Sequence, residues 1–172
     1  MTEYLIGDLH FFDPNIIAFT RLEFDSVDQM NRTMISNWNK AVTEEDKVFV
    51  LGDFFALNHC NEEQISDVLE VLNGQIVLIA GNHDRENLDL FRRTGLVEVI
   101  EYPILKDEFW ILSHEPMYVS TFSPYANIFA HVHRNPMYTN VSCRSFCASA
   151  ERIGYTPIKL EEVKRKVLDM CK

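Results

Sequence analysis

Gly81-Asn82-His83-Asp84 delivers an amide, an imidazole and a carboxylate directly after Ile76-Val77-Leu78-Ile79-Ala80, the most apolar stretch of the chain. The pattern recurs. Leu5-Ile6-Gly7 precedes Asp8 and His10, the run from Val48 to Gly52 precedes Asp53, Phe109 to Leu112 precedes Ser113-His114, and Ile128 to Ala130 precedes His131-Val132-His133. Every histidine except His59 falls at such an exit; His59 reads as a surface-loop residue. Asp8, Asp53 and Asn82, with the imidazoles of His10, His114, His131 and His133, make a set of nitrogen and oxygen donors without a thiolate. That set suits a borderline divalent ion rather than a thiolate zinc site or an all-oxygen calcium site. It is too large for one tetrahedral ion. It fits two ions sharing a bridging carboxylate about 3.5 to 4 Å apart, an arrangement that clamps the attacking and leaving oxygens of phosphoryl transfer. Each short motif taken singly is common; the argument lies in their conjunction.

The elements that must position these groups follow from periodicity and caps. Tyr4 to Ile6, Lys47 to Leu51 and Ile76 to Ala80 read as buried strands. If the first stays extended through Leu9, positions 8 and 10 face one side. After a loop through Asp13 and Pro14, Ser26 with Gln29 forms a capping box for a helix over 27–42. Asn61 caps a second helix, and a short one spans 86–94 before Gly95. Strand and helix alternate in this half, which implies crossover units and a parallel sheet. Farther on, 97–106, 109–112, 127–131 and 138–143 read as strands without long helices between them, a largely antiparallel continuation or a second packed sheet. An amphipathic helix over 160–170 closes the chain. Open α/β sheets bind ligands at the carboxyl ends of their strands, so all the clusters can meet in one crevice.

A chain of 172 residues suits one domain, taken here as 1–172. Its 47% hydrophobic and 24% charged residues exclude a disordered or low-complexity class. The formal charge of -10 disfavours nucleic acid, which needs a basic face. Cys60, Cys143, Cys147 and Cys171 show no paired spacing and make no disulfide framework. With no apolar run long enough for a membrane span and no signal segment before the first strand, the expected location is the cytoplasm.

Taken in order, Asp8-x-His10, Gly52-Asp53, Gly81-Asn82-His83-Asp84, His114 and His131-x-His133 resemble the calcineurin-like metallophosphoesterase superfamily. The stretch from Met30 to Asp53 is similar to its small single-domain bacterial and phage branch. The resemblance covers residue 4 to about 160. It implies an α/β fold, a four-layer α/β/β/α sandwich of two mixed sheets flanked by helices. It also implies two divalent metal ions, manganese first, with iron, zinc, nickel or cobalt as alternatives. Asp8, His10, Asp53 and His133 would hold one ion; Asp53, Asn82, His114 and His131 would hold the other. Metal-activated hydroxide would then attack phosphorus in line. His83 would stay off the metals and serve the leaving alkoxide, with Asp84 orienting His83 or its loop. Three positions depart from the pattern: Ala130 stands where the last motif begins with Gly, Ala56 where some relatives carry an Asp paired with the catalytic His, and Asp13 where the closer branch often has His.

The expected activity is hydrolysis of a phosphodiester or phosphomonoester, with a small phosphorylated substrate, and with Arg21, Arg85 and Arg134 as candidate phosphate contacts. Two rivals stand beside it: a catalytically silent binding scaffold of the same fold, against which every ligand is retained, and a nuclease of the same superfamily, against which the acidic charge counts. No membrane association is expected, and nothing in the sequence excludes a homo-oligomer.

Overall fold

The computed structural model describes residues 1–120, 122–138 and 142–170. Along the chain run β1 (Glu3–Ile6), α1 (Pro14–Phe19), α2 (Val27–Ala41), β2 (Lys47–Val50), α3 (Glu62–Val71), β3 (Gln75–Ile79), α4 (Leu88–Thr94) and β4 (Val97–Ile100). They are followed by β5 (Ile104–Lys106), β6 (Trp110–Leu112), β7 (Ala126–Phe129), β8 (Ser145–Cys147), β9 (Ile158–Lys159) and α5 (Leu160–Met170). Both faces of the early strands are apolar, as expected of a parallel sheet covered on both sides. Tyr4, Ile6, Val48, Val50, Ile76 and Leu78 pack with the stripes of α2, α3 and α4, among them Met34, Trp38, Ile65 and Phe91. On the other face, Leu5, Phe49, Leu51, Val77 and Ile79 meet Trp110, Leu112 and Ile128 together with Leu160, Val163 and Val167 of α5. The result is an α/β architecture of two mixed sheets flanked by helices.

The first sheet has the order β4-β3-β2-β1-β9 and the second β5-β6-β7-β8. Only β9 and β5 run antiparallel to their neighbours. Of the two alternatives, an antiparallel continuation or a second packed sheet, the second is present, and it is mostly parallel: β6–β7 and β7–β8 pair in parallel. The strand expected over 97–106 is two strands in different sheets. Pro103, which has no amide hydrogen to donate to a ladder, lies between them. The strand expected over 138–143 is corrected to β8, with Pro136–Tyr138 forming a 3₁₀ turn; residues 139–141 lie outside the described ones. The loop expected after Asp13 is helical. Asp13 accepts the N–H groups of Asn15 and Ile16, and Pro14 occupies the first turn, so an Asp-Pro pair read as a loop is a helix start. Ser26 caps α2 as expected by accepting the N–H of Gln29, but the Gln29 side chain accepts from Asp25 and not from Ser26, so the box is half formed. Asn61 and Gln64 form a reciprocal capping box, and the helix expected from 86 begins at Leu88 after a 3₁₀ turn over Asp84–Glu86.

The sheets join where their ligand-bearing ends lie. Just beyond β8, Ala148 donates its N–H to Phe129 and accepts that of Gly7, while Ala150 donates to Gly7 (2.7, 2.9 and 2.9 Å). Gly7 has to be small: a Cβ there would stand 2.4 Å from the Ala130 methyl. Ala130 itself has no positive φ, so the methyl that replaces the family glycine costs no backbone strain. Among the described residues no helix is long and apolar enough to cross a membrane.

Candidate metal centre

Three of the ligand-bearing strand ends turn sharply. Asp8 (φ 55°), His10 (φ 48°), Asp53 (φ 53°), His131 (φ 69°) and His133 (φ 47°) all adopt left-handed backbone. Such a residue costs about 1–2 kcal/mol when it carries a Cβ, and strain of this kind collects at functional sites. Asp8 and His10 do converge, but through these turns and not through the strand alternation expected from the sequence.

Two groups of side chains result, Asp8 with His10 and His133, and Asp53 with His114 and His131; within each, the prospective ligand atoms lie within 4.8 Å of one another. Asp53 joins them. Its Oδ2 stands 3.5 Å from His10 Nε2 and 3.4 Å from His114 Nε2. Its Oδ1 accepts the backbone N–H of His83 at 3.0 Å. Gly81 makes this approach feasible, since a Cβ there would fall 2.3 Å from Asp53 Oδ1. The fully buried ring of Phe54, next in the chain, stacks on Trp38 and Phe91 at 6.4 Å and anchors the turn. Burial of one such ring contributes about 1.5–3 kcal/mol.

Three imidazoles are oriented alike. The Nδ1 atoms of His10, His114 and His133 face Asp13 (3.2 Å), the Leu51 carbonyl (2.8 Å) and Glu151 (3.0 Å). An oxygen behind Nδ1 leaves Nε2 free to face a metal, the usual way a ligating histidine is held. His131 is reversed: its Nδ1 lies 3.0 Å from His114 Nε2. Asn82 Oδ1 reaches the same nitrogen at 2.9 Å. Around His114 Nε2 are therefore an amide oxygen, a carboxylate and a second imidazole nitrogen. One proton cannot satisfy them all, whereas a cation can. Asp8 Oδ2 and His10 Nε2 are buried without a hydrogen-bond partner and invite the same occupant.

The electrostatics agree. Burial works against a charged His10, but Asp13 and Asp53 outweigh it and raise its pKa to about 9. His114, buried likewise, is raised to about 9 by Asp53 and Asp8. These carboxylates want a positive partner. His131 moves the other way, lowered by burial and by His114.

Asp84 is fully buried and accepts the N–H groups of Asp53 (2.7 Å), Phe54 (3.0 Å) and Gly81 (2.9 Å). Burial and the neighbouring Asp53 push its carboxyl upward against those donors. It ties two ligand-bearing turns together and so orients the loop of His83, not the His83 ring. That ring is exposed at the rim, edge-on to His10 with centroids 5.4 Å apart. Ala56, in the place of the absent aspartate, is buried beside it in the same cleft wall.

One of the three candidate arginines differs from expectation. Arg21 is 0% exposed, so it cannot meet a substrate phosphate. Its guanidinium instead donates to Glu151 Oε1 (2.8 Å), the Leu9 carbonyl (2.7 Å) and the Asp8 carbonyl, pinning the backbone of the first ligand turn from behind. Arg85 is exposed and paired with Glu115 at 3.1 Å, and Arg134 is paired with Glu23. Sequence reasoning missed Glu151, which lies in no ligand-like motif, and the service of Asp13 to His10. Only the latter had a local signal, a carboxylate three residues after a histidine.

The model of the family described as calcineurin-like phosphoesterase matches residues 1–142. An uncharacterized protein of Methanocaldococcus jannaschii is 36% identical over 170 residues, covering 95% of this chain and 90% of that one. The crystal structure of a protein of unknown function from Aquifex aeolicus superposes with a TM-score of 0.70 at 24% identity, over 95% of this chain and 98% of that one, a likeness of fold.

Proposed function

Because this chain belongs to the calcineurin-like phosphoesterase family, we propose that it hydrolyses a phosphodiester or phosphomonoester with two divalent ions, manganese before iron, zinc, nickel or cobalt. Asp8, His10, Asp53 and His133 would hold one ion, and Asp53, Asn82, His114 and His131 the other. One observation carries the reading: a single oxygen, Asp53 Oδ2, lies between the inward nitrogens of His10 and His114, one from each group. When bound, such a pair of ions polarises the phosphate and activates a water.

The chain's own groups do the rest. Asp53 presents Oδ2 to both halves because the His83 amide holds Oδ1. Asp13, Leu51 and Glu151 fix the direction in which their histidines point. The exposed His83 ring, free of any described side-chain hydrogen bond, is the group positioned to give a proton to the departing oxygen or to stabilise its charge. Free Cys60 and Cys147 accord with a reducing compartment such as the cytoplasm.

Protein loaded with manganese should hydrolyse bis(p-nitrophenyl) phosphate or p-nitrophenyl phosphate. His83→Asn should slow this about 10²- to 10⁴-fold while two metals per chain remain. A fully loaded protein that turns over neither compound would overturn the proposal.

A further inference from the structure

Two clefts meet at the candidate centre. A wide one, about 850 Å³, runs from His131 and His133 past Val132 and Pro116 to Phe19 and Tyr138. A narrow one, about 280 Å³, leads from His10 and His83 to Asn15, Asn58, His59 and Glu86. The rings of His10 and His133, one from each cleft, are 5.1 Å apart. A phosphorus seated over the ligand groups therefore has a cleft on either side, and a monoester has a substituent for only one of them.

The walls differ in chemistry. At the wide mouth Phe19 is 81% exposed and Tyr138 43% exposed, rings left in water beside the centre. Arg134, the cation among the described residues lining this cleft, already faces Glu23 and the Tyr155 hydroxyl, which leaves no free charge for a second phosphate. A flat, uncharged ring is what such a wall receives. The narrow cleft is lined by hydrogen-bonding groups, with Asn15 Nδ2 and His59 Nε2 meeting at 3.3 Å across it. Asp13 and Glu86 make it hostile to an anion and suited to hydroxyl groups.

The geometry points to a phosphodiester substrate with a planar aromatic arm in the wide cleft and a small hydroxyl-bearing alcohol in the narrow one, and to the alcohol as the arm released. This rests on the phosphoesterase reading above. His83 lines the narrow cleft, so the departing oxygen lies on that side. The oxygen of water bonds to phosphorus as the bond from phosphorus to the alcohol oxygen breaks. The electron pair stays with the alcohol oxygen, which takes up a proton, and water is thereby divided between an aromatic phosphomonoester and the free alcohol.

The test offers manganese-loaded protein benzyl glyceryl phosphate, methyl glyceryl phosphate and benzyl phosphate, with products separated by phosphorus NMR. Glycerol and benzyl phosphate are the expected products, with kcat/KM about tenfold above the methyl diester, the order one stacked ring supplies. Phe19→Ala, at an exposed position that folding does not need, should reduce the benzyl-to-methyl ratio about tenfold. His59→Ala should move the cleavage toward glycerol phosphate and benzyl alcohol. Release of benzyl alcohol by the unaltered protein, equal rates for the two diesters, or faster turnover of benzyl phosphate overturns the inference. Release of benzyl alcohol or turnover of benzyl phosphate is itself phosphoester hydrolysis and leaves the phosphoesterase reading standing; no turnover of these esters or of the two nitrophenyl esters brings that reading down first.

Discussion

The two halves of the candidate centre are braced by different chemistry. Behind Asp53, His114 and His131 the supports are mainly backbone: the Leu51 carbonyl on His114, and three amides converging on Asp84. Behind Asp8, His10 and His133 stands a buried ion pair of side chains, Arg21 with Glu151, which reaches both the Asp8 carbonyl and the His133 ring. In the first kind, the Asp84 contacts join segments that end the adjacent strands β2 and β3, while the Leu51 carbonyl reaches His114 from the first sheet to the second. The second joins residues 130 positions apart and needs both charges at once. A buried pair that loses one partner leaves an uncompensated charge, so this half is the more vulnerable.

The largest effect should come from the residue both halves share. Asp53→Asn should cost more than about 10³-fold in rate and release both metals, read by metal analysis; retention of two tightly bound ions would mean the halves are independent. Next, Arg21→Met should destabilise the fold by about 3–5 kcal/mol in urea unfolding, because Glu151 remains buried without its guanidinium partner. Glu151→Gln tests positioning at the metals: affinity for one of the two should fall about 10- to 100-fold while the other site holds, and equal loss at both sites would contradict the division drawn above.

A pH effect is smaller and touches both halves. In metal-free protein His10 and His114 have pKa values raised to about 9 from 6.5. Their contribution to stability is therefore complete below 6.5 and lost as pH rises through about 9. Chelated protein should melt at a lower temperature at pH 10 than at pH 7, and metal uptake near neutral pH should release protons. A melting temperature that does not change over that interval would show that the imidazoles are not held charged. The smallest change should follow Arg85→Ala, whose exposed pair with Glu115 is worth about 0–1 kcal/mol.

Local chemistry explains what could be read before the structure. Apolar runs ending in Gly and ligand-type residues marked strand exits, and caps at Ser26 and Asn61 marked helix starts, because each signal acts within a few residues. The errors lie where a signal had two local meanings. Asp13-Pro14 serves a turn or a helix cap equally well, and the run through 97–106 conceals a change of sheet.

The sequence by itself determined which residues could ligate, that they would sit at strand ends, and that the catalytic candidate His83 would travel with Asn82 and Asp84. Periodicity and side-chain chemistry are properties of short segments and survive without a fold. Tertiary structure alone decided that Arg21 is a buried brace and not a phosphate contact, that Glu151 and Asp13 stand behind histidines, and that Asp53 lies between two groups. Apart from Asp13, whose place three residues after His10 is a local signal, those outcomes depend on burial and on contacts between segments distant in the chain, up to 130 positions for Arg21 and Glu151, and no local pattern encodes them.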